Sequence, residues 1–240
     1  MIRVPSNEFN LQGLSGEQVS KLPDRILVLG TDHGVGKTIV TAALAASSRV
    51  KVRSLKPITT GVPKDEICPD AEFIADASGH EPEVLYQWEP DVPPHRAALI
   101  TGKEAALGEI LAWIREQQCP SVIVEGYGGW REPVGLNWGV PDVARGLGYP
   151  VILVSNNRRG VISNVLLHLE AIRREGVTVY GVVINEAAPT DPMGPESREQ
   201  VLHNLSELIP YLPVVWMPYI KMIGQSELVG AGNKLRLSLG

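Results

Sequence analysis

Cysteine is nearly absent from this chain: Cys68 and Cys119 are the two among 240 residues. They stand far apart and without CxxC spacing, which excludes a disulfide framework and argues against a zinc site. Long apolar runs are also lacking; none approaches the roughly 20 residues that a bilayer-spanning helix needs. Residues 1–8 carry no apolar core of the signal-peptide kind. Basic charge is not in excess either. With 22 Lys+Arg against 27 Asp+Glu the formal net charge is −5, which leaves no broad cationic face for nucleic acid or an anionic membrane. Internal repeats and low-complexity stretches are missing. The simplest expectation is a cytoplasmic protein whose partners are small molecules, with no nucleic acid and no membrane among them.

What is present, 44% hydrophobic and 20% charged residues, is enough to bury a substantial core. Residues 1–23 are polar, without a sustained period, and read as an arm; residues 24–240 read as one domain. Within it, short apolar runs bounded by glycine or proline alternate with helical segments. The runs at 26–29, 52–58, 122–124, 151–154, 179–184 and 214–217 have the look of buried strands. Helical patterns occupy 38–46, 70–77, 104–117, 161–174 and 196–208, with a short helix from 141 interrupted at Gly146 and a loop at 90–94. This alternation predicts an α/β fold: a doubly wound, mostly parallel sheet with helices on both faces. In such sheets ligands lie beyond the carboxyl ends of the strands. Gly30, Lys56, Glu125, Asn156 and Asn185 all fall on that rim.

The first strand runs into Thr31-Asp32-His33-Gly34-Val35-Gly36-Lys37-Thr38 and then a helix. The last three positions match the phosphate-loop pattern G-x-x-x-x-G-K-[ST], although Thr31 holds the slot of the first glycine. Gly34 and Gly36 let backbone N–H groups turn towards a polyphosphate, and the helix N-terminus adds its positive dipole end. Lys37 is placed to reach β- and γ-phosphate oxygens, and the Thr38 hydroxyl to ligate Mg²⁺. The loop announces a nucleotide without saying what it is used for. Lys56-Pro57 ends the second strand, where a lysine has no hydrophobic reason to be. Asp70, at a helix start, reads equally as a cap or a ligand. Glu125, delivered by Val122-Ile123-Val124 into Gly126-Tyr127-Gly128-Gly129, sits where a metal ligand or catalytic base belongs. Thr38, Asp70 and Glu125 make a set suited to Mg²⁺.

Together these segments resemble dethiobiotin synthetases. The resemblance is carried by Gly30-Thr31-Asp32-His33-Gly34-Val35-Gly36-Lys37-Thr38, Lys56-Pro57-Ile58-Thr59-Thr60-Gly61, Pro69-Asp70-Ala71, Pro94-His95, Glu125-Gly126-Tyr127-Gly128-Gly129 and Val183-Ile184-Asn185, in that order. It covers most of the chain from about residue 24. What it implies is an ATP- and Mg²⁺-dependent cyclo-ligase that joins CO₂ to 7,8-diaminononanoate, through a carbamate and a carbamic–phosphoric anhydride. By the same resemblance Lys56 and Lys37 are catalytic and Thr60 contacts substrate. Gly34, Val35, Gly36, Lys37, Thr38 and Ile39 hold phosphates, with Glu125, Gly126, Tyr127 and Gly128 beside them. Asn185, Glu186, Pro218, Tyr219 and Ile220 line the base pocket. Thr38, Asp70 and Glu125 hold Mg²⁺, and the protein is a homodimer. His33, Gly34, Tyr127 and Arg158-Arg159-Gly160 depart from the family's usual residues, and the bulky Tyr127 would narrow the diamine site.

Two other readings share the loop. A partitioning or septum-placement ATPase would want a lysine where Asp32 stands. An amide ligase of the cobyrinic acid diamide synthase kind would normally carry a C-terminal glutaminase domain with a nucleophilic cysteine.

Overall fold

The computed structural model describes residues 22–186, 196–221 and 223–240. All but the last two residues of the expected arm at 1–23 lie outside the described residues. The strands β1 (Arg25–Gly30), β2 (Val52–Leu55), β5 (Ser121–Gly129), β6 (Val151–Asn156), β7 (Val179–Asn185) and β8 (Val214–Met217) form one sheet in the order β2-β5-β1-β6-β7-β8. Every pairing in it is parallel. Its inner strands are largely apolar runs because helices cover both faces, whereas the edge strand β2 carries Arg53 and Ser54. On β1 the side chains alternate between two cores. Ile26 and Val28 join a cluster with α1 (Lys37–Ala46), α2 (Pro69–Ser78) and α8 (Gln225–Leu239). Leu27 and Leu29 join the other, with α4 (Leu107–Arg115), α5 (Val140–Leu147), α6 (Val161–Arg174) and α7 (Arg198–Leu208).

Several elements differ from the sequence expectation. The run at 52–58 is two strands: β2 stops at Leu55, and after Lys56-Pro57 the chain continues as β3 (Ile58–Thr60). Proline lacks the N–H a central strand needs, and it turns the chain out of the sheet. β3 pairs instead with β4 (Tyr86–Trp88) in a separate two-stranded sheet. Pro94, read as the end of a loop, opens α3 (Pro94–Thr101), a position proline favours. Gly146 does not interrupt its helix. It lies inside α5, where a side chain would collide with Leu111 of α4. The C-terminal α8 was not anticipated, because Gly230 and Gly232 mask its apolar period.

Cys68 and Cys119 are both free thiols. Among the described residues no helix is long and apolar enough to cross a membrane.

Candidate active site

The carboxyl ends of β1, β5, β6 and β7 form one rim, with β1 hydrogen-bonded to a neighbour on each side. The chain leaves β1 through Thr31, whose N–H still donates to Val154 O at 2.9 Å and whose hydroxyl bonds the Ser155 hydroxyl at 3.0 Å. The threonine in the slot of the usual first glycine thus extends the attachment of β1 to β6. Gly30 takes over the steric part of that role: a Cβ there would stand 2.9 Å from Lys37 Nζ and 2.8 Å from Asp32 O. Gly36, at φ 96°, is left-handed and lies against the Asn185 side chain, so no other residue fits. The α1 helix begins at Lys37, and its first turn presents unpaired N–H groups to the loop.

Lys37 curls back over the loop, donating to Asp32 O at 2.9 Å and Gly128 O at 3.0 Å. Burial pushes its pKa down to about 8, only partly offset by the charge of Glu125. A lysine so depressed costs the fold stability below that pH, and the cost is relieved as pH rises from about 8 towards 10.5. A bound polyphosphate supplies the missing negative charge and restores the proton. Nucleotide binding is therefore expected to take up a proton above pH 8 and to weaken as pH rises through about 8. Calorimetric titration in buffers of different ionisation enthalpy measures the uptake; binding at about pH 8.5 with no proton exchanged would contradict the depressed pKa.

The second lysine behaves oppositely. Lys56, at the end of β2, is buried between two carboxylates: its Nζ lies 2.7 Å from Glu125 Oε1 and 2.7 Å from Asp70 Oδ2. Burial alone would lower its pKa, but Glu125 and Asp70 outweigh burial and hold it above the ordinary lysine value. Lys56 is a fixed cation. Asp70 does not cap its helix: the N-cap is Cys68, and the Asp70 carboxylate is turned onto Lys56. Glu125 is 2% exposed, and its Oε1 also accepts from the Thr38 hydroxyl at 2.9 Å. Its Oε2 is buried without a hydrogen-bond partner.

Thr38 and Asp70 are thus both linked to Glu125, one directly and the other through Lys56 Nζ. Their oxygens, one of them buried and unpaired, suit a hard cation. Among the described residues no group of three or more His, Cys, Asp or Glu side chains forms a metal cage. Mg²⁺ takes one or two carboxylates and completes its shell with phosphate and water, and Thr38, Asp70 and Glu125 would offer donors of that kind.

The β5 loop holds the next layer. Between the Val28–Glu125 and Gly30–Gly129 pairs the register shifts, so that residues 126–128 bulge out of the sheet. Gly126 packs against Leu29 with no room for a side chain. The Tyr127 hydroxyl meets Thr60 Oγ1 at 2.8 Å. On the far side of the loop, Asn185 Nδ2 donates to Val35 O at 3.2 Å. Glu186 gathers the 218–220 segment by accepting from Tyr219 N at 3.1 Å. Ile220, like Ile39, packs against the core cluster that contains Val40 and Met217. Sequence reasoning named Gly128 for the nucleotide site without foreseeing that its carbonyl seats Lys37, and it missed Glu132, whose Oε2 lies 3.3 Å from His33 Nε2. Glu132 follows the glycine-rich loop closely, but nothing local ties it to His33.

Comparison with known proteins agrees with this geometry. A family model described as an AAA domain matches residues 24–224. ATP-dependent dethiobiotin synthetase BioD of Anaeromyxobacter sp. strain K is 34% identical over 222 residues, 86% of this chain and 97% of that protein. The proteins of the same description from Haloferax mediterranei and Bacillus velezensis are 33% and 30% identical, covering 84% and 75% of this chain and 87% and 82% of their own lengths. Among solved structures, the septum site-determining protein MinD of Pyrococcus horikoshii OT3, complexed with Mg-ADP, aligns with a TM-score of 0.53 at 16% identity, over 90% of this chain and 93% of that one. A ParA family ATPase of Chlorobium tepidum TLS aligns at 0.51 and 12% identity, with the same coverage. At such identities these two establish the doubly wound phosphate-loop fold alone. With its deviant phosphate loop, its Lys56-Pro57 strand end and relatives of matching length, the chain belongs to the ATP-dependent dethiobiotin synthetase family.

Proposed function

We propose that residues 24–240 act as one unit that uses ATP and Mg²⁺ to join CO₂ to the vicinal amines of 7,8-diaminononanoate, closing the cyclic urea of dethiobiotin. The observation that carries this reading is the pair of buried lysines flanking Glu125. Lys37 bonds back onto the phosphate loop at Asp32 O, while Lys56, permanently charged, is held between Glu125 and Asp70. One neutral amine captures CO₂ through its lone pair and releases a proton, leaving a carbamate. That anion must approach the γ-phosphate, another anion, and two cations offset the repulsion. Because its pKa is raised, Lys56 serves as an electrostatic clamp rather than a base. The carbamate oxygen attacks the γ-phosphorus and ADP leaves. The second amine then attacks the activated carbonyl within the same molecule and phosphate departs, a step favoured because both groups are already held together.

Mg²⁺, held by Thr38, Asp70 and Glu125, would neutralise charge on the phosphoryl oxygens. Gly34, Val35, Gly36, Lys37, Thr38 and Ile39 would cradle the phosphates, with Gly126, Tyr127 and Gly128 beside the reacting end. Asn185, Glu186, Pro218, Tyr219 and Ile220 would line the base pocket. A homodimer and a cytoplasmic setting, with neither nucleic acid nor membrane as partner, belong to the same proposal and rest on family kinship.

The test is direct. Protein, ATP, Mg²⁺, bicarbonate and the diamine are expected to yield ADP and the cyclic urea in equal amounts, read by chromatography and mass spectrometry. ATP hydrolysis indifferent to the diamine would overturn the reading in favour of a nucleotide-switched ATPase.

A further inference from the structure

A chain of four side chains crosses the mouth of this site. It begins on β3 with Thr60, whose Oγ1 meets the Tyr127 hydroxyl at 2.8 Å. The Tyr127 ring, half-buried on the β5 bulge, meets the His33 imidazole edge-on, with centroids 5.0 Å apart and planes at 80°. His33, on the phosphate loop, lies 3.3 Å from Glu132 Oε2. Three segments distant in sequence are tied across one aromatic ring. Beneath it stand the two lysines. Lys37 donates to Gly128 O, next to Tyr127 in the chain, and the Lys56 charge acts on the Tyr127 phenol. Tyr127 also borders a small, mainly apolar void of about 20 Å³ with Pro57, Ile58, Val134, Val140 and Val143.

Tyr127 lies two residues past Glu125, whose Oε1 holds Lys56 Nζ and the Thr38 hydroxyl, and its own hydroxyl bonds Thr60. On the diamine reading the ring therefore stands near the reacting end of the acceptor. Its hydroxyl is tethered at Thr60 and its edge is held by His33, so it cannot swing aside without losing both contacts. We propose that Tyr127, braced by His33, is a specificity-determining wall that limits the size of the alkyl group next to the reacting amines. The inference rests on the diamine reading above and adds the residues that set which vicinal diamines are accepted. A half-buried, braced ring discriminates by volume, and one methylene too many in such a pocket costs about tenfold or more in kcat/KM.

The experiment compares kcat/KM for 7,8-diaminononanoate and 7,8-diaminodecanoate, which differ by one methylene at the amine end. The wild-type protein is expected to prefer the shorter diamine by about tenfold or more, and Tyr127→Ala to bring the ratio to within about twofold. Tyr127→Phe keeps the ring and is expected to keep the preference. His33→Ala removes the brace and is expected to lower the ratio about threefold; it carries the test should Tyr127→Ala fail to fold by circular dichroism. A merely structural role would change stability or kcat while leaving the ratio alone. Wild-type turnover with a ratio unmoved in Tyr127→Ala and His33→Ala overturns the wall and leaves the diamine reading standing. Absence of turnover with either diamine overturns the diamine reading itself, and the wall with it.

Discussion

Lys56→Ala is expected to lower kcat by about 10²- to 10³-fold while ATP still binds close to normally. The reason lies in what each lysine touches. Lys37 bonds within the phosphate loop, whereas Lys56, at the end of β2, bonds the Glu125 and Asp70 carboxylates and is proposed to hold the carbamate. Removing a positioned charge that meets developing negative charge costs about 3–4 kcal/mol of barrier. The substitution also strips a buried carboxylate of its counter-ion, since Glu125 is 2% exposed and retains only the Thr38 hydroxyl. Breaking such a pair costs about 3–5 kcal/mol. The variant should therefore melt at lower temperature than the wild type. Turnover under saturating ATP and diamine, ATP affinity by calorimetry, and thermal melts separate these effects. Near-normal kcat would remove Lys56 from the chemistry.

Gly232→Ala is expected to destabilise the fold by about 2–3 kcal/mol, lowering the melting temperature by roughly 5–10 °C. Two effects oppose each other. Inside a helix alanine is favoured over glycine by about 1 kcal/mol. At this position, however, the new methyl would overlap the Ala43 carbonyl oxygen and the Ser47 hydroxyl of the α1 segment. The obstacle is backbone, so the two helices have to separate. Gly230, two residues earlier on the same helix, has open space where a Cβ would go. Gly230→Ala is therefore expected to stabilise by up to about 1 kcal/mol. Opposite signs for these two substitutions, read from urea denaturation midpoints, identify close approach of α8 to α1 as the cause; equal signs would refute it.

Most of the sheet was legible in the sequence because its inner strands are largely apolar runs that end in glycine or asparagine. Glu125 stood out because it follows the apolar Val122-Ile123-Val124, and Lys56 because Pro57 marks it as a strand end. The β3–β4 pair was missed because each strand is three residues long, too short to establish a period. Helix α8 was missed because its glycines, one of them demanded by packing, erase the apolar stripe. The ties that finish the site are non-local. His33 and Glu132 are 99 residues apart, Lys37 and Gly128 are 91 apart, and no spacing rule in the chain connects them. The phosphate loop, by contrast, is a contiguous motif, and it was read with its positions intact.

The two halves of the site are mounted differently. The phosphate loop springs from β1, which is laced to β5 and β6 near the centre of six strands. Thr60 rides on the two-stranded β3–β4 ribbon, which leaves that sheet at Pro57 and carries few lateral bonds of its own. The arrangement is that of an anvil and a jaw. The phosphate loop is thus anchored by strand pairing on both sides of β1, whereas Thr60 is anchored through the ribbon and the tyrosine that holds it, so adjustment to an organic substrate would fall to the ribbon.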